Sequence, residues 1–377
     1  MSREIKILAL LPYPLGTTPS QRYRIEQWQP FLRREGISLD FSPFADERLM
    51  RTLHRPGHLM AKAAAMAACL MRRAASVPTA RNYDAVLIHR AACLVGPAVL
   101  ERAIALLGRP VIFDFDDAIY LLHTTAANRH FGRLKFPGKT AAICRASAHV
   151  VVGNSYLADY GRRHNSHVTV IPPSVDTDRY RPVKKVASSD RIVVGWMGSS
   201  TSQTHLEAFA PVLSRLSRFP GVELRIVSDR EPHLIEIPFA WRPWAADAEV
   251  GELAQFDIGI MPMPDDPWSH GKCAMKALLY MSMGVPTICS AVGANSDLIR
   301  HNENGLLAAS PEDWLEAARM LISDPALRER LGRAGRKTVE QHYSMRHCAR
   351  LFASVVYETL ERKEAVGLRP SGEIINE

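Results

Sequence analysis

Three residues in the second half of the chain have the types and spacing of a phosphate-binding site. Gly271 and Lys272 precede an apolar segment predicted to be a helix, and Lys276 follows four residues later. A helix N-terminus presents free backbone N–H groups and the positive end of the helix dipole, which bind anions. Lysines four residues apart would share one face of the first turn. The pattern predicts a seat for a phosphorylated ligand; a solvated helix face is the alternative.

The segment after these lysines favours the phosphate-binding site over the solvated helix face. Residues 274–283 are apolar on almost all sides, as in a buried helix, and Gly284-Val285-Pro286 ends that helix sharply. A short buried strand then leads to Val292-Gly293. Lysines at the start of a buried helix are poorly placed to form a plain solvated surface.

The elements that would position this seat alternate between strands and helices. Strand-like apolar runs lie at 5–11, 84–89, 110–115, 149–152, 168–171, 191–196, 223–227 and 256–261, and helical segments at 22–34, 96–107, 204–218 and 311–364. This alternation predicts an α/β fold with parallel sheets covered by helices on both faces. Ligands of such sheets bind where the loops after the strands converge. We therefore expect loops 12–24, 114–117 and 195–204 to line a cleft.

A turn-rich stretch divides the chain into two predicted domains. Residues 171–182 are rich in Pro and Asp and lead into a polar run. The first domain is predicted to cover residues 1–183, the linker 184–190 and the second domain 191–345. Residues 365–377 are expected to be a disordered tail.

Composition indicates a soluble enzyme of the cytoplasm. The chain has 377 residues, of which 47% are hydrophobic and 23% charged, as in globular enzymes. It has no apolar run near the ~20 residues that span a bilayer and no recognisable signal peptide. Its six cysteines form no C-x-x-C pair, which favours reduced thiols over disulfides or a metal cluster.

Positive charge is concentrated in the first half. Residues 1–183 contain 25 Lys and Arg against 14 Asp and Glu, a balance of +11, and the remainder contains 22 against 25, a balance of −3. This asymmetry predicts an anionic partner such as a membrane surface or a phosphorylated acceptor. No nucleic acid is expected, since no nucleic-acid-binding motif is present.

Taken together, these segments resemble a GT-B glycosyltransferase, most similar to glycosyltransferase family 4, the glycosyl transferases group 1. The similarity covers nearly the whole chain and lies in residues 20–24, 152–155, 171–176, 194–198 and, most strongly, 271–293. It implies two Rossmann-like domains that face each other across a cleft. It also implies a C-terminal crossover helix, here 346–364, that packs back on the first domain.

The resemblance implies an activity as well. Similar enzymes transfer a sugar from a nucleoside-diphosphate donor, held mainly by the second domain, to an acceptor at the first, with retention and without an obligatory metal or other cofactor. Here it implies a glycan or lipid-linked acceptor and a role in surface polysaccharide or glycoconjugate synthesis. The predicted donor-binding residues are Gly198, Ser199, Ser200, Gly271, Lys272 and Lys276.

The chain departs from the family pattern at two glutamates, which in similar enzymes hold the donor sugar and ribose. Aligned on Gly284-Val285-Pro286, those positions are Gly271 and Leu279. An Arg and a Lys that usually contact the diphosphate are replaced by the hydroxyl-rich run 198–204. We expect Lys272 and Lys276 to supply the cationic charge toward the leaving diphosphate.

The acidic run after the strand at 110–115 has three interpretations. Asp114 and Asp116 could form a metal-binding D-x-D motif, as in the other large glycosyltransferase fold. They could be the nucleophile and acid of a Mg²⁺-dependent phosphatase of the haloacid-dehalogenase type. The favoured interpretation is a loop in which Asp116 or Asp117 orients the acceptor hydroxyl, with a structural helix cap as its alternative. No metal site is predicted.

Retention without an obvious protein nucleophile suggests front-face attack, in which the leaving diphosphate helps to remove the acceptor proton. His270 would donate to the leaving phosphate or to a sugar hydroxyl. Arg22, Arg24 and Asn154 would hold an anionic acceptor or the diphosphate. A solvated helix start is the alternative for the two arginines.

Residues 58–73 form an Ala-, Met- and Leu-rich helical run flanked by Arg51, Arg55, Arg72 and Arg73. This pattern fits a basic amphipathic element on an anionic bilayer, or else a packed helix with charged ends. The expected partners are thus a nucleotide-sugar donor, a glycan or lipid-linked acceptor and a peripheral anionic membrane contact at the inner membrane face. Gly271 and Leu279 also motivate an alternative from another class, a non-catalytic sugar-nucleotide-binding protein of the same fold.

Overall fold

The chain folds into two units, which are described separately. The computed structural model describes residues 3–53, 58–121, 136, 138–183 and 191–367. The first unit combines Met1–Pro172 with Cys348–Glu377, and the second is Pro173–His347. The predicted linker 184–190 and residues 368–377 of the predicted tail lie outside the described residues. Residues 365–367, at the start of that tail, are helical.

The first unit contains a six-stranded parallel sheet with the order β2-β1-β3-β4-β5-β6. Its strands are β1 Ile5–Leu11, β2 Ile37–Pro43, β3 Ala85–His89, β4 Val111–Phe115, β5 His149–Val152 and β6 Val168–Val170. Continuous apolar runs make β3, β4 and β5 buried along their whole length. Strand β2 was not predicted, although its apolar residues alternate with Ser38, Asp40 and Ser42, the pattern of a half-buried strand.

The helices of the first unit before residue 172 connect these strands. They are α1 Pro19–Arg24, α2 Gln29–Arg34, α3 Glu47–Leu53, α4 Leu59–Ser76, α5 Val99–Ala105, α6 Gly138–Ala146 and α7 Ser155–Arg162. The single helix predicted at 22–34 is instead α1, a 3-10 turn and α2. Pro30 explains the break, because proline fits the first turn of a helix but not its interior.

The second unit contains another six-stranded parallel sheet, with the order β12-β11-β10-β7-β8-β9. Its strands are β7 Ile192–Met197, β8 Val222–Ser228, β9 Ala240–Pro243, β10 Ile258–Met261, β11 Thr287–Ser290 and β12 Leu306–Ala308. The chain runs outward from β7 through β8 to β9 and then returns to β10 on the other side of β7.

The helices of the second unit are α8 Ser200–Ala208, α9 Ala210–Leu216, α10 Glu249–Leu253, α11 Pro267–His270, α12 Met275–Ser282, α13 Ala294–Leu298, α14 Pro311–Ser323 and α15 Pro325–His342. The helix predicted at 204–218 is divided into α8 and α9, with Pro211 in the first turn of α9. None of the described helices is both long and apolar enough to cross a membrane.

Two glycines let aromatic rings pack directly on the second sheet. A Cβ at Gly195 in β7 would lie 2.2 Å from the ring of Phe256, and one at Gly259 in β10 would lie 2.5 Å from the ring of Tyr280. The Tyr280 hydroxyl accepts a 2.8 Å hydrogen bond from the N–H of Met197. Helix α12 is thereby fixed against the end of β7.

The last helix, α16 Met345–Gly367, contributes most of its length to the first unit. The ring of Phe352 lies 5.4 Å from that of Trp28, and the Tyr357 hydroxyl donates to the Glu35 carbonyl at 2.5 Å. These contacts tie α16 to the α1–α2 region.

The turn-rich segment before the predicted linker belongs to the second unit from Pro173 onward, whereas the sequence placed it in the first. Arg336 of α15 holds it by donating to the carbonyls of Thr177, at 2.8 Å, and Tyr180. The buried Tyr180 hydroxyl also donates to Glu249 at 2.6 Å.

Candidate functional site

The carboxyl edge of the second sheet carries the predicted phosphate seat. β7 and β10 are neighbours, and the chain leaves β7 in one direction and reaches β10 from the other, so the gap between their ends is a topological switch point. Gly198 follows β7. A Cβ there would lie 2.4 Å from the ring of Trp196 and 2.8 Å from Cε of Lys276. The missing side chain of Gly198 lets Lys276 reach the end of β7.

Lys276 is an unpaired cation in this seat. Its ammonium lies 5.5 Å from the ring centroid of Trp196, and it makes no hydrogen bond or ion pair with any residue that the structure describes. Burial, followed by repulsion from Lys272, lowers the pKa of Lys276 to about 8. A desolvated ammonium without a carboxylate partner is stabilised by an anionic ligand.

Lys272 lies in the loop before α12 and not in its first turn. Helix α12 begins at Met275, behind Ala274, whose φ of 54° is left-handed. The ammonium of Lys272 stacks over the Trp268 ring at 4.6 Å. The prediction that Lys272 and Lys276 share one helical turn is therefore wrong, although Lys272 is close enough to lower the pKa of Lys276.

Most donors of the predicted loop after β7 are used within the protein. The Gly198 N–H donates to the Val227 carbonyl at 3.0 Å. Ser200 donates its N–H and its hydroxyl to Asp229, at 2.5 and 2.8 Å, and Ser199 Oγ lies 2.7 Å from a threonine hydroxyl. A diphosphate at Ser199 and Ser200 would have to compete with these internal contacts, and the donor-binding role of Gly198, Ser199 and Ser200 stays a prediction. Gly198 contributes to the predicted phosphate site because its missing side chain leaves room for Lys276. At the start of α8, Asp229 accepts the hydrogen bonds of Ser200.

His270 ends α11 beside the two lysines. Its Nε2 lies 2.7 Å from Oδ1 of Asp265, and its side chain is 37% exposed. Gly293, with a φ of 53°, approaches from the other end of the predicted segment, and a Cβ there would lie 2.9 Å from the Cα of His270. Gly271 follows as the buried C-cap of α11. Nε2 of His270 would therefore reach a ligand only in competition with Asp265.

At the carboxyl edge of the first sheet, a buried ion pair holds a histidine. Nε of Arg24 donates to both oxygens of Asp114, at 2.8 and 3.0 Å, and Nη1 donates to the Ile171 carbonyl. Nδ1 of His89 lies 2.6 Å from Oδ2 of Asp114. All three side chains are fully buried. The structure therefore contradicts the prediction that Arg24 holds an acceptor or the diphosphate.

A second charged cluster lies on the same edge. Arg90 donates to Asp116 at 2.8 Å and to Asp117 at 2.6 Å, from a backbone with a left-handed φ of 60°. Burial acts to raise the pKa of Asp116, but Arg90, His89 and Arg24 together hold it well below its usual range. Asp116 is therefore a stable carboxylate, which suits it to orient a hydroxyl better than to take its proton.

These contacts exclude the phosphatase interpretation of Asp114 and Asp116. Both oxygens of Asp114 are bound, and its side chain has no exposed surface, so it cannot reach a phosphorus atom. Asp116 is paired with Arg90. Among the residues that the structure describes, no three His, Cys, Asp or Glu side chains are grouped so that they could hold a metal ion.

The other predicted residues of the first unit have local partners. Arg22 donates to the Tyr23 hydroxyl at 3.3 Å. Asn154 is buried and caps α7, because its side-chain oxygen accepts the Leu157 N–H at 2.9 Å. Helix capping explains Asn154 without a ligand. A role of Arg22 at an acceptor stays a prediction.

Three polar residues of the candidate site were not identified from the sequence. His89 is the last residue of β3, Arg90 follows it directly, and Asp229 directly follows β8. Their position was the available signal, since polar residues at the carboxyl ends of parallel strands face the ligand-binding edge.

Sequence comparison identifies the second unit. Residues 191–324 match the family described as Glycosyl transferases group 1. The D-inositol 3-phosphate glycosyltransferase of Nocardia farcinica is 26% identical over 198 residues, which are 46% of this chain and 43% of that protein. The enzyme of the same name from Stackebrandtia nassauensis is 21% identical over 273 residues, 64% of this chain and 61% of that protein. The chain thus spans less than two thirds of either relative.

Solved structures share the fold over nearly the whole chain. Sucrose-phosphate synthase from Thermosynechococcus elongatus has a TM-score of 0.70 at 14% identity, covering 96% of this chain and 100% of that chain. Anabaena HepE in complex with UDP-glucose has a TM-score of 0.65 at 14% identity, with 94% and 100% covered. The two parallel sheets are thus the Rossmann-like domains of the GT-B fold. The chain has the GT-B fold and carries, at residues 191–324, a domain of the Glycosyl transferases group 1 family.

Proposed function

We propose that this chain is a metal-independent, retaining glycosyltransferase of the hexosyltransferase type. It moves a sugar from a nucleoside-diphosphate sugar to a glycan or lipid-linked acceptor, in surface polysaccharide or glycoconjugate synthesis. The observation that carries the proposal is Lys276, an unpaired cation at the switch point of the domain that matches the Glycosyl transferases group 1 family.

In this proposal, Lys276 and Lys272 stabilise the diphosphate as it leaves. A cation already held in a partly desolvated site stabilises the developing charge without reorganisation. Lys276 also lies in the first turn of α12, a helix that is fixed to β7 through Tyr280. Leu279, at one position where similar enzymes have a glutamate, is buried with 6% exposure and packs in the protein interior. Lys272 and Lys276 therefore make the charge interaction with the nucleotide sugar. His270 acts as the acid that donates a proton.

The names of similar structures support the donor class. Structures of Anabaena HepE contain UDP, or UDP-glucose. Those ligands belong to that protein, but its fold and the cationic seat described here make UDP-glucose the first donor to test.

Calorimetric titration of the full chain with UDP-glucose, GDP-mannose and the free nucleotides tests the proposal, followed by a turnover assay in EDTA. We expect one nucleotide to bind with a Kd between about 1 μM and 1 mM, and its sugar to be released or transferred with EDTA present. Binding without turnover would favour the non-catalytic alternative, which Gly271 and Leu279 motivate. A chain that binds none of these nucleotides contradicts both functions.

We also propose that the chain is cytoplasmic and contacts an anionic membrane peripherally through α4. One face of this helix, with Ala65 and Cys69, is buried against a cluster that includes Phe44 and Leu49. The opposite face is exposed and, besides Leu59 and Arg72, includes Met60, Ala61, Ala63, Ala64, Ala67, Ala68, Met71, Ala74 and Ala75. The packed helix and the exposed amphipathic element are thus two faces of α4.

The charges near this exposed face favour an anionic surface. From Arg48 to Tyr83 the sequence contains no Asp or Glu, whereas Arg51 and Lys62 are cations on α3 and α4. Apolar side chains framed by cations bind anionic bilayers through both hydrophobic and electrostatic terms. Such a contact would bring the first unit to a lipid-linked acceptor.

Replacing Met60 and Met71 by Glu should weaken co-sedimentation with phosphatidylglycerol vesicles by about tenfold or more. Each added charge near an anionic surface costs about 1 kcal/mol, and apolar contact is lost as well. These residues are 86% and 68% exposed, so folding should be unaffected. Leu106→Glu is the matched control, because Leu106 is 87% exposed and lies outside α4. An equal loss in the control would contradict a specific role of α4.

A further inference from the structure

Ser20, His89 and Asp114 form a continuous hydrogen-bonded chain in the first unit. Ser20 Oγ lies 3.2 Å from Nε2 of His89, and Nδ1 of His89 lies 2.6 Å from Oδ2 of Asp114. Arg24 fixes the far end through its contacts with Asp114. A hydroxyl, an imidazole and a carboxylate in this order allow the hydroxyl to exchange its proton with the histidine.

These three hydrogen-bonded side chains reach the surface at a ligand-binding position of the fold. The polypeptide leaves β1 toward β2 and returns to β3 on the other side of β1, so the switch point of the first sheet lies between β1 and β3. Ser20 follows β1, and His89 ends β3. His89 and Asp114 are fully buried, whereas Ser20 is partly exposed. Of these three groups, Ser20 is therefore the one that a ligand can touch.

Two neighbours compete for the proton of Ser20. Its hydroxyl bonds to Asp116 as well as to His89. The pKa of Asp116 is held low, against the effect of burial, by Arg90, His89 and Arg24, and Arg90 contacts this carboxylate at 2.7 Å. A carboxylate stabilised in this way is a poor base. An imidazole whose other nitrogen faces a carboxylate is the better proton acceptor.

We propose that Ser20, His89 and Asp114 form a relay that receives the proton of the attacking acceptor hydroxyl, in place of the leaving diphosphate. This inference rests on the proposed sugar transfer. As the acceptor oxygen bonds to the anomeric carbon, the bond from that carbon to the diphosphate oxygen breaks, and the diphosphate leaves with the bonding electron pair. The acceptor proton passes to Ser20 Oγ, and the proton of Ser20 passes to Nε2 of His89. Asp114 keeps its hydrogen bond to Nδ1–H throughout.

The relay requires one tautomer of His89. That tautomer can be measured independently of enzymatic turnover. Nitrogen-15 NMR of the full chain labelled at histidine should show the resting ring with hydrogen on Nδ1 and none on Nε2. Ser20→Ala should shift the Nε2 resonance of that ring. A resting ring that carries hydrogen on Nε2 would donate to Ser20, and the relay would then be wrong.

Kinetics test the same relay in the working protein. We expect Ser20→Ala to lower kcat by about 100-fold, the lower end of general-base contributions, with KM for the donor unchanged. Ser20→Thr, which keeps a hydroxyl, should restore kcat to within about tenfold of the wild type. Ser38→Ala in β2 is the control and should be neutral.

The outcomes separate the relay from the function on which it rests. A kcat of Ser20→Ala equal to that of the wild type, or a loss confined to KM, would overturn the relay while leaving sugar transfer intact. A wild-type chain that transfers no sugar would contradict the proposed function, and the relay, which rests on that transfer, would fail with it.

Discussion

Replacing Lys276 by Met should lower kcat/KM for the nucleotide-sugar donor by at least about 100-fold, which corresponds to roughly 3 kcal/mol. Methionine keeps an apolar chain beside Trp196 and Gly198 but removes the ammonium. Lys272 does not occupy the same position, since it lies in the preceding loop over Trp268. Steady-state kinetics with the donor identified by calorimetry measure the effect.

Lys337→Met is the matched control for this variant. Lys337 lies exposed on α15 of the same unit, and its removal changes the net charge equally. We expect its kcat/KM to stay at the wild-type value. Equal losses in the two variants would mean that overall charge, and not the seat, attracts the donor.

The affinity for the donor should also depend on pH through the titration of Lys276. Its pKa in the free protein is lowered to about 8, so the ammonium loses its proton as pH rises through that value. Affinity for UDP should therefore fall as the pH rises above about 8, and Lys276→Met should lack this step. A wild-type affinity that is constant across this range would remove Lys276 from the diphosphate site.

Replacing Asp114 by Ala should lower the free energy of unfolding by about 3–5 kcal/mol, the usual cost of leaving a buried charge without its partner. Arg24 is fully buried, and its guanidinium would lose both bonds to the carboxylate. His89 would lose its partner at Nδ1 as well. Urea denaturation followed by circular dichroism measures the change.

Two further variants isolate this buried pair. Arg3→Ala breaks an ion pair in which Arg3 is 86% exposed, and it should cost at most about 1 kcal/mol. Adding Arg24→Met to Asp114→Ala should recover part of the lost stability, because no uncompensated charge remains. A double variant that is less stable than Asp114→Ala would show that the charge of Arg24 is still compensated in the single variant.

The sheets were predictable because a continuous apolar run indicates, from local sequence alone, a strand that is buried on both faces. The observed bounds of β1, Ile5–Leu11, and β5, His149–Val152, are those of the predicted runs. The helical segments were harder to divide. Pro30 and Pro211 each lie in the first turn of a second helix, inside a stretch with continuous helical character.

The charge pattern of the site was only partly predictable, since it depends on contacts between distant residues. Arg24 and Asp114 are 90 positions apart, and an arginine looks the same in the sequence whether it binds a ligand or a buried carboxylate. The start of α12 depends on the left-handed φ of Ala274, which alanine rarely adopts and does not signal. Lys276 was identifiable because its own helix is visibly apolar.

Arg336 has a practical consequence for domain exchange between related chains. The match to the family begins at residue 191, yet the carbonyls that Arg336 binds belong to Thr177 and Tyr180. A fragment cut at residue 191 would leave that guanidinium and Glu249 without these partners. The transplantable module is therefore Pro173–His347, longer at its amino end than the recognisable family sequence.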